Sequence, residues 1–222
     1  MIRYCALTTI SISMRSFVLP SLINLSKNGY QVTAGCMKDG QFANSLPKDI
    51  SYLPLKIKRG YGLSCIISTL MTVCQLYMFF IRNRIQMVEY GTPNVSFCAS
   101  FAAWLARVPV RIYNHWGARY IGFKGVKRLI VLYMEKIISN FSTVIRDQSP
   151  KNLEMCVKDK VYPAYKAKVL GYGGTIGADF TRFDISKKKE FNHLTRKRLE
   201  ISQNDIVFGD IGSIRKDKGT NE

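Results

Sequence analysis

Three observations predict an α/β fold, a mostly parallel sheet with helices on both faces. Short β-branched runs alternate along the chain with longer segments that are apolar at helical spacing. The runs break into clusters of Gly, Ser, Thr, Asn and Pro, as strand exits do. Hydrophobic residues are 47% of 222, enough to bury a sheet on both sides.

Taken in order, Tyr4 to Thr8 reads as a first strand and Thr9 to Ser16 as its polar exit loop. Phe17 to Lys27 reads as a helix, with Pro20 fitting only in its first turn and Asn28-Gly29 stopping it. Tyr30 to Cys36 is a second strand, Lys38-Asp39-Gly40 a turn, Ile50 to Leu55 a third strand and Lys56 to Gly62 a basic loop. Ser64 to Arg82 is a long helix containing the most apolar stretch, Ile66 to Ile81. That stretch falls short of the about 20 residues a spanning helix needs. A buried helix is the preferred reading, with an interfacial helix as the alternative because Arg82 and Arg84 follow directly.

The central block, Met87 to Tyr120, reads strand, loop, helix, strand, loop. Met87 to Glu89 closes an apolar run, Tyr90 to Asn94 turns, Val95 to Arg107 is helical, and Val108 to Tyr113 is a strand that breaks at Asn114-His115-Trp116-Gly117. Lys124 to Asn140 is a helix, Thr143 to Ile145 a strand, and Ser149-Pro150 opens the next helix. Lys166 to Leu170 is a strand leading into Gly171-Tyr172-Gly173-Gly174. Lys187 to Glu200 is a basic helix and Asp205 to Ile211 a last strand, with Gly212 to Gly219 as its loop. In open α/β sheets the ligand sits beyond the carboxyl ends of the strands. The loops after Glu89 and Tyr113 carry hydroxyl, amide and imidazole groups and are expected to face one cleft.

The net charge is +18, from 33 Lys and Arg against 15 Asp and Glu. Such a charge favours anionic partners, whether nucleic acid, anionic lipid or phosphorylated substrates. The six cysteines form no C-x-x-C pair and read as buried reduced thiols rather than a zinc site. The N-terminus has no secretory pattern.

The stretch KVLGYGGTIGADFTRF, Lys168 to Phe183, lacks the G-x-G-x-x-G spacing of dinucleotide sites, since Ile176 stands where the last Gly belongs. It resembles the end of the first domain of family 4 glycosyltransferases, two-domain GT-B enzymes, where G-x-G-x-x-x-G-V-D-x-x-x-F is common. Gly171, Gly173, Gly177, Asp179 and Phe183 match, with Ala178 for Val. GSIRKDKG, Gly212 to Gly219, is similar to the family's G-R-L-x-x-D-K-G at Gly212, Asp217, Lys218 and Gly219. Ser213 replaces the Arg that usually meets the donor diphosphate. Thr8 to Ser13 and Glu89 to Asn94 resemble loops of capsule and O-antigen members. Ile112 to Gly117 resembles the loop Y-x-x-H-G, but with Tyr113 and Gly117 aligned, Trp116 takes the His position and His115 is displaced by one.

The resemblance implies a Rossmann-like, acceptor-binding domain over residues 1–185, the N-terminal half of a GT-B fold, and a truncated start of a donor-binding domain over 186–222. It implies transfer of a sugar from a nucleotide-sugar, a UDP-sugar, to a lipid-linked acceptor in surface polysaccharide synthesis. Retention of configuration is implied, with no cofactor, and no metal because no D-x-D motif stands in the sequence. By the same resemblance His115 is the catalytic candidate. Ser11, Ser13, Glu89, Thr92, Asn94, Asn114, Trp116 and Arg119 are acceptor-binding candidates, and Gly173, Gly174 and Lys218 are donor-binding candidates. Polar loops at strand ends suit sugar hydroxyls, the rings of Trp116 and Tyr120 suit a sugar face, and the Lys218 ammonium suits a phosphate. The residues after Ile185 are too few for a second domain of on the order of 100 residues, so the chain is expected to be inactive alone. A peripheral place at the inner face of an anionic inner membrane follows from the apolar helix and the charge. The reduced cysteines read as those of a cytoplasmic protein, and without a helix-turn-helix or an interleaved aromatic–basic sheet motif no nucleic-acid partner is expected. The alternative is a non-enzymatic basic module binding anionic lipid or nucleic acid.

Overall fold

A computed structural model describes residues 1–58, 63–177, 180 and 183–209. Seven strands form one parallel sheet: β1 (Arg3–Leu7), β2 (Gln31–Met37), β3 (Ile50–Leu55), β4 (Met87–Tyr90), β5 (Val110–His115), β6 (Val144–Asp147) and β7 (Ala167–Val169). Their order is β3-β2-β1-β4-β5-β6-β7. The helices are α1 (Ser11–Phe17), α2 (Leu19–Lys27), α3 (Gly40–Ser45), α4 (Leu63–Arg82), α5 (Pro93–Leu105), α6 (Gly125–Phe141), α7 (Pro150–Lys158) and α8 (Lys188–Arg198). The predicted fold class is the one observed. The chain divides into two compact units, Met1–Ile176, which holds the whole sheet, and a second that begins at Gly177 and contains α8.

Strand order and handedness place the helices. The chain runs from β1 outward to β3, then crosses back to β4 and onward to β7. Right-handed crossovers therefore put α1 to α3 on one face and α4 to α7 on the other. Side chains alternate accordingly. Cys5, Leu7, Val88, Tyr90, Tyr113 and Ile145 pack under α4 to α7, with Leu76, Phe80, Cys98 and Ile138. Tyr4, Ala6, Val32, Ala34 and Cys36 pack under α1 to α3, with Met14, Leu22 and Phe42.

Five expectations are corrected. The exit loop expected over Thr9 to Ser16 folds into α1 from Ser11, because Met14 and Val18, four residues apart, both bury against the sheet. The turn at Lys38-Asp39-Gly40 opens α3 instead, with the Asp39 carboxylate accepting the Phe42 N–H at 3.0 Å. The strand expected at Val108 to Tyr113 runs two residues later. The Val108 N–H closes α5 on the Ala103 carbonyl, Pro109 has no N–H to give, and Asn114 and His115 pair with Arg146 and Asp147 of β6. The Ile66 to Ile81 helix, preferred as buried, buries only Ser68, Thr72, Leu76 and Phe80. Residues Asp205 to Gly209 of the expected last strand are not in a strand, and the rest of it lies outside the described residues, as do Ala178, Asp179 and the Gly212 to Gly219 motif.

Candidate functional site

The direction of winding reverses between β1 and β4, and a parallel sheet opens a crevice beyond its carboxyl edge at such a point. Here the two strand exits are tied together. The Thr9 N–H donates to Thr92 Oγ1 at 2.6 Å, and the two threonine hydroxyls share a bond of 2.7 Å. The exit of β5 leans on the same place. The Trp116 ring lies so close over Gly91 that a Cβ there would come within 2.7 Å of it, and Phe17 of α1 packs on its other side at 5.4 Å between centroids. Gly91 is thus required by the ring above it.

The next two exits join this edge. The Gly174 N–H donates to the Gln148 carbonyl at 2.7 Å, and Gly173, at φ +100°, packs so tightly that a Cβ would overlap that same carbonyl. The glycine segment after β7 is therefore held on the loop after β6. Gly173→Ala is expected to release this contact at a cost of roughly 1–3 kcal/mol. The check is faster hydrogen exchange at the Gly174 amide with the core strands unchanged.

Below the edge, on the face of α1 to α3, lies a set of polar side chains. Glu89 is in mid-strand and buried, pairing with Ala6 and Ile112. Burial raises the Tyr4 phenol well above its ordinary value, and the neighbouring Glu89 carboxylate adds to the rise. Asn114 is 1% exposed, and among the described residues neither its amide oxygen nor its nitrogen has a partner; the buried Trp116 Nε1 also lacks one there. Buried polar groups without partners are rare and costly. Two such residues, two positions apart where β5 ends at the carboxyl edge of the sheet, suit a site for a polar ligand.

The opposite face holds the other polar cluster. His115 is fully buried. Its Nδ1–H donates to Asp147 at 2.9 Å, and Nε2 faces Glu135 at 3.5 Å. Asp147 also accepts from Asn152 at 2.8 and 2.9 Å, from the Ser149 N–H at 3.1 Å and from the Tyr162 hydroxyl. Glu135 accepts the Arg119 N–H at 3.1 Å. Burial works to depress the imidazole, but the hydrogen bonds and charges of Asp147 and Glu135 outweigh it and the net shift is upward. Burial likewise works to raise Asp147, and the bonds from His115, Tyr162, Asn152 and Ser149 hold it below the ordinary carboxylate range. His115, Asp147 and Cys156 offer donor atoms within 4.8 Å of one another, a spacing a metal ion can use. Asp147 is already saturated with hydrogen bonds, and burial pushes the Cys156 thiol up to about 11, so the cluster is built for protons.

The sequence-predicted residues thus divide. Asn114, Trp116 and Thr92 gather at the edge, with Glu89 below them on the same sheet face. Ser11 and Ser13 are in the first turn of α1, and the Ser11 hydroxyl donates to Asp39 at 2.6 Å, fixing α3. Asn94 is exposed in the first turn of α5, and the Arg119 side chain is exposed. Gly173 and Gly174 hold loop to loop, and Lys218 lies outside the described residues. Asn114 and His115, expected in the loop after Tyr113, are strand residues, and both are buried, as is Glu89 within β4. The imidazole expected in the cleft with Asn114 is on the other side of the sheet, because consecutive strand residues face opposite ways. Sequence reasoning missed Asp147, Glu135, Asn152 and Tyr162. Only Asp147, at a strand end just before the Ser149-Pro150 helix start, carried a signal.

No protein-family model matches the chain. It is 28% identical over 184 residues to the capsular polysaccharide biosynthesis glycosyltransferase CapM of Staphylococcus aureus, a match covering 83% of this chain and 46% of CapM. The chain thus spans about half the length of that curated relative. Among solved structures it is similar to the UDP-GlcNAc 2-epimerase of Neisseria meningitidis bound to UDP-GlcNAc, with TM-score 0.61 and 14% identity, over 92% of this chain and 56% of that one. It is also similar to Anabaena HepE in complex with UDP, with TM-score 0.58 and 13% identity, over 90% of this chain and 50% of that one. The seven-stranded sheet with helices on both faces is the Rossmann-like domain of the GT-B fold, and the chain is homologous to a capsular polysaccharide glycosyltransferase.

Proposed function

We propose that this chain forms the acceptor-binding domain of a family 4 glycosyltransferase that moves a sugar from a UDP-sugar to a lipid-linked acceptor in surface polysaccharide synthesis. The likeness to CapM supports the transferase class, and the UDP and UDP-GlcNAc in the similar structures support the donor class. The observation that carries the site is that, among the described residues, the Asn114 amide and, two residues on, the Trp116 Nε1 are buried without a partner where β5 ends, next to the β1–β4 switch point. Sugar hydroxyls both donate and accept, and so match an amide and an indole N–H. Glu89, Thr92, Asn94 and Ser13 line the approach, and Gly173 and Gly174 are the donor-side candidates. Transfer proceeds with retention and without a metal, at the inner face of the cytoplasmic membrane. His115 acts on this site only through the backbone of β5 that it anchors, and is a positioning residue.

Asn114→Leu separates this reading from a structural one. The leucine keeps the volume and removes a buried amide whose desolvation costs about 1–3 kcal/mol, so the melting temperature is expected to hold or rise. Titration with a polyprenyl-diphosphate sugar is expected to show saturable binding that the variant weakens about tenfold or more. Unchanged binding in the variant would remove Asn114 from the site. Binding of random oligonucleotides with a steep salt slope, in place of the sugar lipid, would favour a basic nucleic-acid module.

A further inference from the structure

A helix on a soluble domain turns its apolar stripe inward and its charges outward. Helix α4 does the reverse. Its buried stripe is Ser68, Thr72, Leu76 and Phe80, where the Ser68 hydroxyl donates back to the Cys65 carbonyl and Thr72 to that of Ser68. Its outward stripe is Leu63, Ile67, Leu70, Met78 and Ile81, with Leu70 62% exposed, and no charged residue stands between Leu63 and Ile81. Helix α6, on the same side of the sheet, repeats the inversion. It buries Glu135 and Ser139 beside Ile138 and exposes Val126, Ile130, Tyr133 and Ile137 at spacings of three and four. Helix α5, packed against both, adds exposed Phe101, Trp104 and Leu105.

From Leu63 to Phe141 the exposed charge has one sign, and the acid nearest to it among the described residues is Asp159 after α7, 3.9 Å from Arg128. The acids within that span are Glu89 and Glu135, and both are buried. The exposed cations include Arg82, Arg84, Arg107, Lys124, Lys127 and Arg128. Aromatic rings hold some of them at the surface, with Lys127 Nζ 4.6 Å from the Phe123 centroid and Arg128 Cζ 5.6 Å from that of Tyr120. Where α4 begins, a cavity of about 760 Å³ is walled by Leu55, Ile67 and Met71 and rimmed by Lys38, Lys56 and Lys58.

We propose that the outward stripes of α4 and α6 form one surface that lies in an anionic phospholipid bilayer, acyl chains against Leu63, Ile67, Leu70, Val126 and Ile130, and headgroup phosphates against the surrounding cations. This deepens the peripheral-membrane part of the reading above. A second copy of the chain is the weaker occupant, because it would set these cations against their like. A spanning α4 is also disfavoured. The helix is long and apolar enough to cross a membrane, but withdrawing it would pull Leu76 and Phe80 out of the core. Lying in the interface leaves those contacts whole while the exposed stripe enters lipid.

The test is flotation of the full chain with vesicles containing phosphatidylglycerol, against phosphatidylcholine alone, for wild type and for Ile67→Glu with Leu70→Glu. Both positions are exposed, so the melting temperature is expected to hold. Wild type is expected to float with the anionic vesicles, and the double variant to partition about tenfold less, because a carboxylate is costly in the acyl region and repelled by the headgroups. Equal flotation of wild type and variant would put the binding on bulk charge and overturn the surface, as would failure of wild type to float. A wild-type dimer dissolved by the two substitutions, with no flotation, would show a self-interface instead. Titration of the double variant with a water-soluble short-chain acceptor reports on the transferase reading separately.

Discussion

His115→Leu is expected to lower the stability of the first unit by about 3–5 kcal/mol, the range for breaking a buried charge pair from one side. In a unit of this size that corresponds to a melting temperature lower by roughly 6–20 °C. The imidazole stands between Asp147 and Glu135, both buried, and when protonated is the cation of the set. Leucine fills the volume but leaves two carboxylates facing each other without a proton donor between them. Asn152, Tyr162 and Ser149 still donate to Asp147, but among the described residues Glu135 keeps only the Arg119 N–H and no side-chain donor. Asp147→Asn is expected to cost less, since Glu135 can still hold the imidazolium. Calorimetry on the three proteins decides it. A shift of less than about 2 °C for His115→Leu would mean that the cluster adds little to stability, and the positioning role given to His115 would fall with it.

The fold was legible because it rests on periodicity. Strands buried on both faces and helices of regular spacing repeat along the chain. Strand β3 was found at its expected bounds and the other six strands of the sheet with bounds moved by at most two residues, while Asp205 to Gly209 form no strand. The moves have local causes. Asp39 caps a helix that the Lys-Asp-Gly triplet disguised as a turn, and Pro109 delays β5 until Asn114 and His115 fall inside it. That delay decides the site. One residue of alternation sends Asn114 to one face and His115 to the other, so a cluster that reads as one polar loop becomes two unrelated environments. The partners of His115 come from β6, α6, α7 and the turn after α7, through packing that no single stretch of sequence encodes. Helix α4 was misjudged for a different reason. An uninterrupted apolar helix reads the same whether its stripe meets protein or lipid, and only exposure separates the two.

Stability is expected to be highest between roughly pH 4 and pH 6.5 and to fall on both sides, with the His115 cluster as the cause. The signs follow from the two shifts. The folded state raises His115 above its unfolded value of about 6.5, so its contribution is full below that value and is lost as pH rises through the folded one. The folded state lowers Asp147 below its unfolded value of about 3.9, so its contribution is full above that value and is lost as pH falls through the folded one. Other groups blur the alkaline side. Burial pushes the thiols of Cys36 and Cys156 up to about 11 and that of Cys98 to about 12, and these add a further loss once unfolded thiols ionise near pH 8.5. The window from about pH 6.5 to 8 therefore reports on His115, because the other histidine, His193, is exposed on α8 in the second unit. Melting curves across that window are expected to fall for wild type and stay level for His115→Leu. If the variant kept the wild-type slope, the alkaline loss would originate elsewhere, and the charged imidazole could not be what holds Asp147 and Glu135 together.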